Sequence, residues 1–172
     1  MSRPIFIALI VASLQVLSQA PADATPSPKP WLVLERTGCY GICPIFTLRL
    51  FEDGQIQYVG KRFVVATGPR YGRIGRAVVE KLRAKIAEAN IGKLAPDCCN
   101  CRTVTDHPWT RLAITGEGGT ISVEHYHGCY AAPKVLSELE EDILSSAGAW
   151  RWIGSESKRR PFEAQWIKES RR

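Results

Sequence analysis

Polar and apolar residues alternate along two parts of this chain and recur at helical spacing along two others. Phe46, Leu48 and Leu50 share one face of an extended segment, while Thr47 and Arg49 point to the other. Glu52-Asp53-Gly54 supplies a turn in which Gly54 takes the positive φ of a tight hairpin, and Ile56 and Tyr58 resume the apolar face. Residues 45–51 and 55–59 therefore predict a β-hairpin. Residues 31–35 form a short strand before it; 61–66 prolong its second strand, which Thr67-Gly68-Pro69 ends. Ile74, Val78, Leu82 and Ile86 recur every four residues and predict a helix over 74–89, stopped by Asn90 and Gly92. A second hairpin follows over 109–115 and 120–126, with Leu112 and Ile114 inward and Gly116-Glu117-Gly118-Gly119 as its turn. Pro133 opens a second helix, lined by Leu136, Leu139, Ile143 and Leu144 and capped by Gly148.

The order hairpin, helix, hairpin, helix predicts an α+β fold of two ββα units, an antiparallel sheet with its helices packed on one face. The loop entering the first hairpin, Gly38-Cys39-Tyr40-Gly41-Ile42-Cys43-Pro44, extends the argument. Together with Arg36-Thr37 before it, Ile45-Phe46 after it, Asp53-Gly54 and Tyr58-x-Gly60, it resembles the signature of a bacterial domain-of-unknown-function family, numbered 6438. Thr105-Asp106-x-Pro108, Pro133-x-x-Leu136 and a Trp at 150 or 152 add to the resemblance, which covers about residues 33–152. Cys98, Cys99, Cys101 and the basic tail fall outside the pattern. The family carries no known activity, so the resemblance implies an architecture and no chemistry.

The first residues change the picture of compartment. Arg3, the apolar run from Ile5 to Leu17, and small residues at Ala20 and Ala24 read as a secretory signal peptide over 1–24. The run is too short for a membrane span, and no second apolar run follows it. A proline-rich linker over 25–30 leads into one domain over 31–153, and a basic tail occupies 154–172. Periplasmic or secreted localisation follows as an expectation. In an oxidising compartment Cys39, Cys43, Cys98, Cys99, Cys101 and Cys129 read as three disulfides. Six cysteines allow 15 pairings, among which long-range bridges from the Cys39/Cys43 loop to the later half are expected.

Charge narrows the partners. The net +6 is concentrated after residue 150, where seven basic residues (Arg151, Lys158, Arg159, Arg160, Lys168, Arg171, Arg172) face Glu156, Glu163 and Glu169. Such a tail suits weak contact with an anionic surface, or simply solvation of a frayed end. Nucleic acid is not expected of an exported chain without a recognisable binding module.

Three groupings of residues bear on chemistry. His125, His127 and Cys129 share a face if the strand continues, and two imidazoles and a thiolate suit zinc or copper; the bland alternative is hydrogen-bonded histidines beside a bridged sulfur. Cys39 and Cys43 offer a thiol–disulfide pair, although a strand rather than a helix follows them, which favours a structural bridge. Asp106 and His107 pair an acid with an imidazole, yet Asp106-x-Pro108 reads first as a turn. No nucleophile elbow, phosphate loop or dinucleotide fingerprint is present, and neither catalysis nor a cofactor is expected. The sequence thus predicts an exported, disulfide-stabilised, non-catalytic module that binds a protein or envelope polymer. A metal-binding protein using His125, His127 and Cys129 is the alternative, and a thiol oxidoreductase using Cys39 and Cys43 the second.

Overall fold

The computed structural model describes residues 28–94 and 106–170. The expected signal peptide, the first half of the linker, and Cys98, Cys99 and Cys101 lie outside the described residues. Six antiparallel strands form one sheet: β1 (Leu32–Arg36), β2 (Ile45–Leu50), β3 (Gln55–Arg62), β4 (Gly68–Arg73), β5 (Trp109–Gly116) and β6 (Gly119–Tyr126). Their order across the sheet is β4-β3-β2-β1-β5-β6. The short first strand is therefore central, and it joins the two hairpins into one sheet.

Directly opposed residues in an antiparallel pair share a face, so the register defines rows across the sheet. One row on the inner face reads Ile56, Leu50, Leu32, Ile114, and the next reads Tyr58, Leu48, Leu34, Leu112, Val123. Apart from Ile114 at 8 % exposure, these side chains are at most 2 % exposed. The helices α1 (Arg76–Ala89) and α2 (Lys134–Ser146) and the single turn α3 (Trp150–Ile153) cover this face. They bring Val79, Leu82, Ile86, Leu136, Leu139, Ile143, Trp152 and Ile153 into the same core.

Three details depart from the sequence reading. The apolar stripe of α1 is Val79, Leu82 and Ile86, while Val78 is 37 % exposed. A repeat of four drifts about 40° per step around a helix of 3.6 residues per turn, whereas alternating steps of three and four hold one face. Second, β3 ends at Arg62, and the segment expected to close the hairpin at 67–69 begins β4. Residues 63–66 form the bend between them, where Val65 and Ala66 donate backbone N–H bonds to Ile153 and Trp152 of α3. The β4 sequence, Gly-Pro-Arg-Tyr-Gly-Arg, has no alternation to announce a strand, because it is an edge held by its backbone pairing. Third, the basic end, where residues 161–169 read as a short extra helix, is helical over a longer span: α4 (Glu156–Ser170) carries Pro161 inside it and sets Trp166 edge-on against Tyr40 at 5.7 Å.

Gly54 shows why its turn needs glycine. Its φ is +80°, and an added Cβ would lie 2.3 Å from the Ile74 carbonyl oxygen. The turn also accepts the Ile74 N–H on the Gly54 carbonyl, which fixes the start of α1 against the first hairpin.

Candidate functional site

The third row of the inner face is polar where the first two are apolar. It reads Phe46, Arg36, Thr110, His125 across β2, β1, β5 and β6. Each of the last three continues the inward alternation of its own strand: Leu32-Leu34-Arg36, Ile114-Leu112-Thr110 and Val123-His125. The row needs a polar partner from the helical layer, and Glu140 on the inner stripe of α2 supplies it at 3 % exposure.

Glu140 accepts from every side. Arg36 Nη2 donates to Oε2 at 2.9 Å, and the Thr110 hydroxyl donates to the same oxygen at 2.9 Å. His125 Nδ1 lies 2.6 Å from Oε1, and His127 Nε2 lies 3.2 Å from Oε2. His127 Nε2 is also 2.7 Å from Thr110 Oγ1. With both imidazoles neutral the bonds close consistently: His127 Nε2–H is shared between Thr110 Oγ1 and Glu140 Oε2, Thr110 donates to Glu140, and His125 Nδ1–H donates to Glu140. The Arg36 and Glu140 charges then cancel within the cluster. The two rings lie 4.3 Å apart between centroids, tilted by 37°.

Burial and charge act in opposite directions here. Burial pushes the Glu140 carboxyl up, but hydrogen bonds from His125 and His127 and the Arg36 charge outweigh it and hold the group at about 2. Burial lowers the Arg36 guanidinium against the opposing pull of Glu140. Burial likewise lowers His127, against its hydrogen bond to Glu140. The Arg36 Nε–H is buried without a partner among the described residues.

The histidines singled out in the sequence are both in this cluster, and Cys129 is not among the groups that converge on Glu140. The strand ends at Tyr126; His127 still donates its N–H to the Pro108 carbonyl, but a turn follows in which the Cys129 N–H bonds to Tyr126. Cys129 packs with Tyr126, Trp109 and Ala132 in a separate small cluster. Its sulfur is disulfide-bonded, so it presents no thiolate. The ligand-type atoms that converge are those of His125, His127 and Glu140, all within 4.8 Å of one another. Glu140 escaped the sequence reading although it left a signal there, a carboxylate four residues after Leu136 and three before Ile143, inside the apolar stripe of the helix. Arg36 left the matching signal as the third inward residue of its strand.

Cys39 and Cys43 form a disulfide with each other, with Cα atoms 5.7 Å apart. The expectation of a long-range bridge from this loop is thereby corrected. Gly41, at φ +148°, turns the chain back and bonds its N–H to the Cys39 carbonyl, which brings the two sulfurs together locally. Both cysteines lie in the loop between β1 and β2, not at a helix N-terminus that would favour a thiolate. Asp106 and His107 are each placed by contacts with aromatic residues. The Asp106 carbonyl accepts the Tyr40 N–H, and His107 sits edge-on to Tyr126, with its N–H on the Tyr126 hydroxyl at 3.4 Å. No helix among the described residues is long and apolar enough to cross a membrane.

In comparison with known families, residues 31–147 fit the model of a domain of unknown function, DUF6438. The matched span runs from Trp31 through the sheet, α1 and α2, and so includes every residue of the Glu140 cluster; α3 and α4 lie beyond it. Comparison with curated proteins finds no match.

Proposed function

The chain belongs to the DUF6438 family of domains of unknown function, and we propose that within it this protein is an exported, disulfide-stabilised module that binds a ligand without transforming it. The observation that carries this reading is the closure of its chemically richest site. His125 and Glu140 are 4 % and 3 % exposed, beneath α2 and at the end of the sheet. A catalytic acid–base pair must reach a substrate, whereas these groups spend their hydrogen bonds on each other. The groove between α1 and α2 offers no substitute: Lys85, Glu88, Glu138 and Asp142 line it, with Lys85 and Asp142 already ion-paired.

Export is supported by the leader-like run from Ile5 to Leu17 and by the Cys39–Cys43 bridge, since structural disulfides belong to oxidising compartments. Expression of the full gene in a bacterial host, followed by fractionation and intact-mass measurement, tests the reading. The expected product is a processed chain in the envelope or medium with its cysteines oxidised. A full-length cytoplasmic chain with free thiols would overturn it.

A further inference from the structure

We infer that His125, His127 and Glu140 form a binding site for one divalent transition-metal ion of the zinc type. This rests on the reading of the protein as a binding module and names its ligand. A site so nearly closed excludes organic ligands by size, while a single ion enters along the His127 edge, where the side chain is 22 % exposed.

The donor set points to the class of ion. Two imidazole nitrogens and a carboxylate oxygen are borderline donors of the kind zinc and its neighbours prefer, while calcium and magnesium need sites rich in oxygen. The geometry is close to what such an ion requires. Ligand atoms at about 2.0–2.2 Å from one ion lie roughly 3.3–3.5 Å from each other in a tetrahedral site. The three donors here lie within 4.8 Å of one another, with 2.6 Å and 3.2 Å between the carboxylate oxygens and the two imidazole nitrogens. Side-chain shifts of about 1 Å bring them onto a common ion. His125 is held on β6, His127 sits just past its end with its N–H on the Pro108 carbonyl, and Glu140 is held by its helix, so the chain already bears much of the cost of ordering them.

The hydrogen bonds of the metal-free cluster stand where metal bonds would form. Each imidazole binds through the nitrogen that faces the carboxylate and carries its single proton on the other ring nitrogen, so no proton need leave. Glu140 ligates through Oε1, leaving Oε2 to Arg36 and Thr110, an outer shell that orients the carboxylate. Cys129, in its disulfide, stays out of the set.

The test uses the exported, oxidised full chain, stripped with a chelator and dialysed against zinc. One zinc per chain is expected. His127→Gln and Glu140→Gln should each weaken binding by more than the roughly 10–100-fold that an outer-shell change costs, while His107→Gln, outside the cluster, should leave it intact. His127→Gln keeps an amide for Thr110, so it decides the question if Glu140→Gln fails to fold. Cobalt in place of zinc should give visible ligand-field bands without a thiolate charge-transfer band. No zinc on the folded wild type, zinc retained by both cluster variants, or a thiolate band would each overturn the inference. The first result leaves the module reading standing; a cytoplasmic, reduced chain would remove that reading whatever the zinc result.

Discussion

Replacing Glu140 by glutamine keeps the shape of the side chain and removes its buried negative charge. Two lines of reasoning give the size of the effect. A carboxyl held at about 2 instead of its ordinary 4.5 favours the ionised folded state by roughly 3 kcal/mol. Breaking a buried ion pair, which here leaves Arg36 beside an amide, costs about 3–5 kcal/mol. Both describe the metal-free protein at neutral pH. With a urea dependence of about 2 kcal/mol per molar, the Glu140→Gln midpoint should fall by about 1.5 M in chelator-treated protein with disulfides intact. The pH dependence gives a second, independent signature. The folded-state value is depressed, so the stabilisation is complete above about 4.5 and drains away as pH falls toward 2, where the unfolded chain binds a proton that the folded chain refuses. Wild type and variant should therefore converge in stability between pH 5 and pH 2. A midpoint shift below about 0.5 M, or a gap that stays constant through that range, would refute the claim that Glu140 is a charged keystone of the inner face.

Three further outcomes follow from particular residues. Gly54→Ala puts a Cβ 2.3 Å from the Ile74 carbonyl at a φ of +80°, so a loss of at least about 1–2 kcal/mol is expected in thermal or urea unfolding; an unchanged midpoint would mean the turn relaxes freely. The double substitution Cys39→Ser with Cys43→Ser opens a loop of sequence separation 4 and should cost about 2 kcal/mol with the near-ultraviolet dichroism retained, whereas global unfolding would show the bridge to be indispensable. Tyr58→Phe removes a fully buried hydroxyl with no hydrogen-bond partner among the described residues. Stability should hold or rise by up to about 1 kcal/mol, and a clear loss would reveal a partner for that oxygen.

Much of the fold was legible because burial imposed period on the sequence. The alternation of Phe46, Leu48 and Leu50 and of Leu112 and Ile114 marked inner-face strands, and Leu136, Leu139 and Ile143 marked the inner side of α2. The strand β4 was invisible because an edge with one sparsely covered face has no pattern to keep, and its two glycines and one proline read as a stop. Two of the five residues of the candidate site, His125 and His127, were legible because their types announce chemistry. Arg36, Thr110 and Glu140 were hidden in plain periodicity, since charged residues at inward positions are ordinarily read as interruptions of the pattern. Their meaning depends on one another: Arg36 and Glu140 lie 104 residues apart, and only the sheet register and the docking of α2 bring them together. Cys129 was misplaced for a related reason. The alternation that put it beside the histidines ends at Tyr126, where the strand gives way to a turn.

Native mass spectrometry of the exported gene product, with one equivalent of zinc supplied after chelation, tests most directly whether this chain is an oxidised module that holds an ion at its buried histidine–glutamate cluster. The account predicts a processed chain with its cysteines bridged and one divalent ion bound, the ion disappearing in His127→Gln. An unprocessed chain with free thiols, or a processed and folded chain that stays free of zinc, would contradict it.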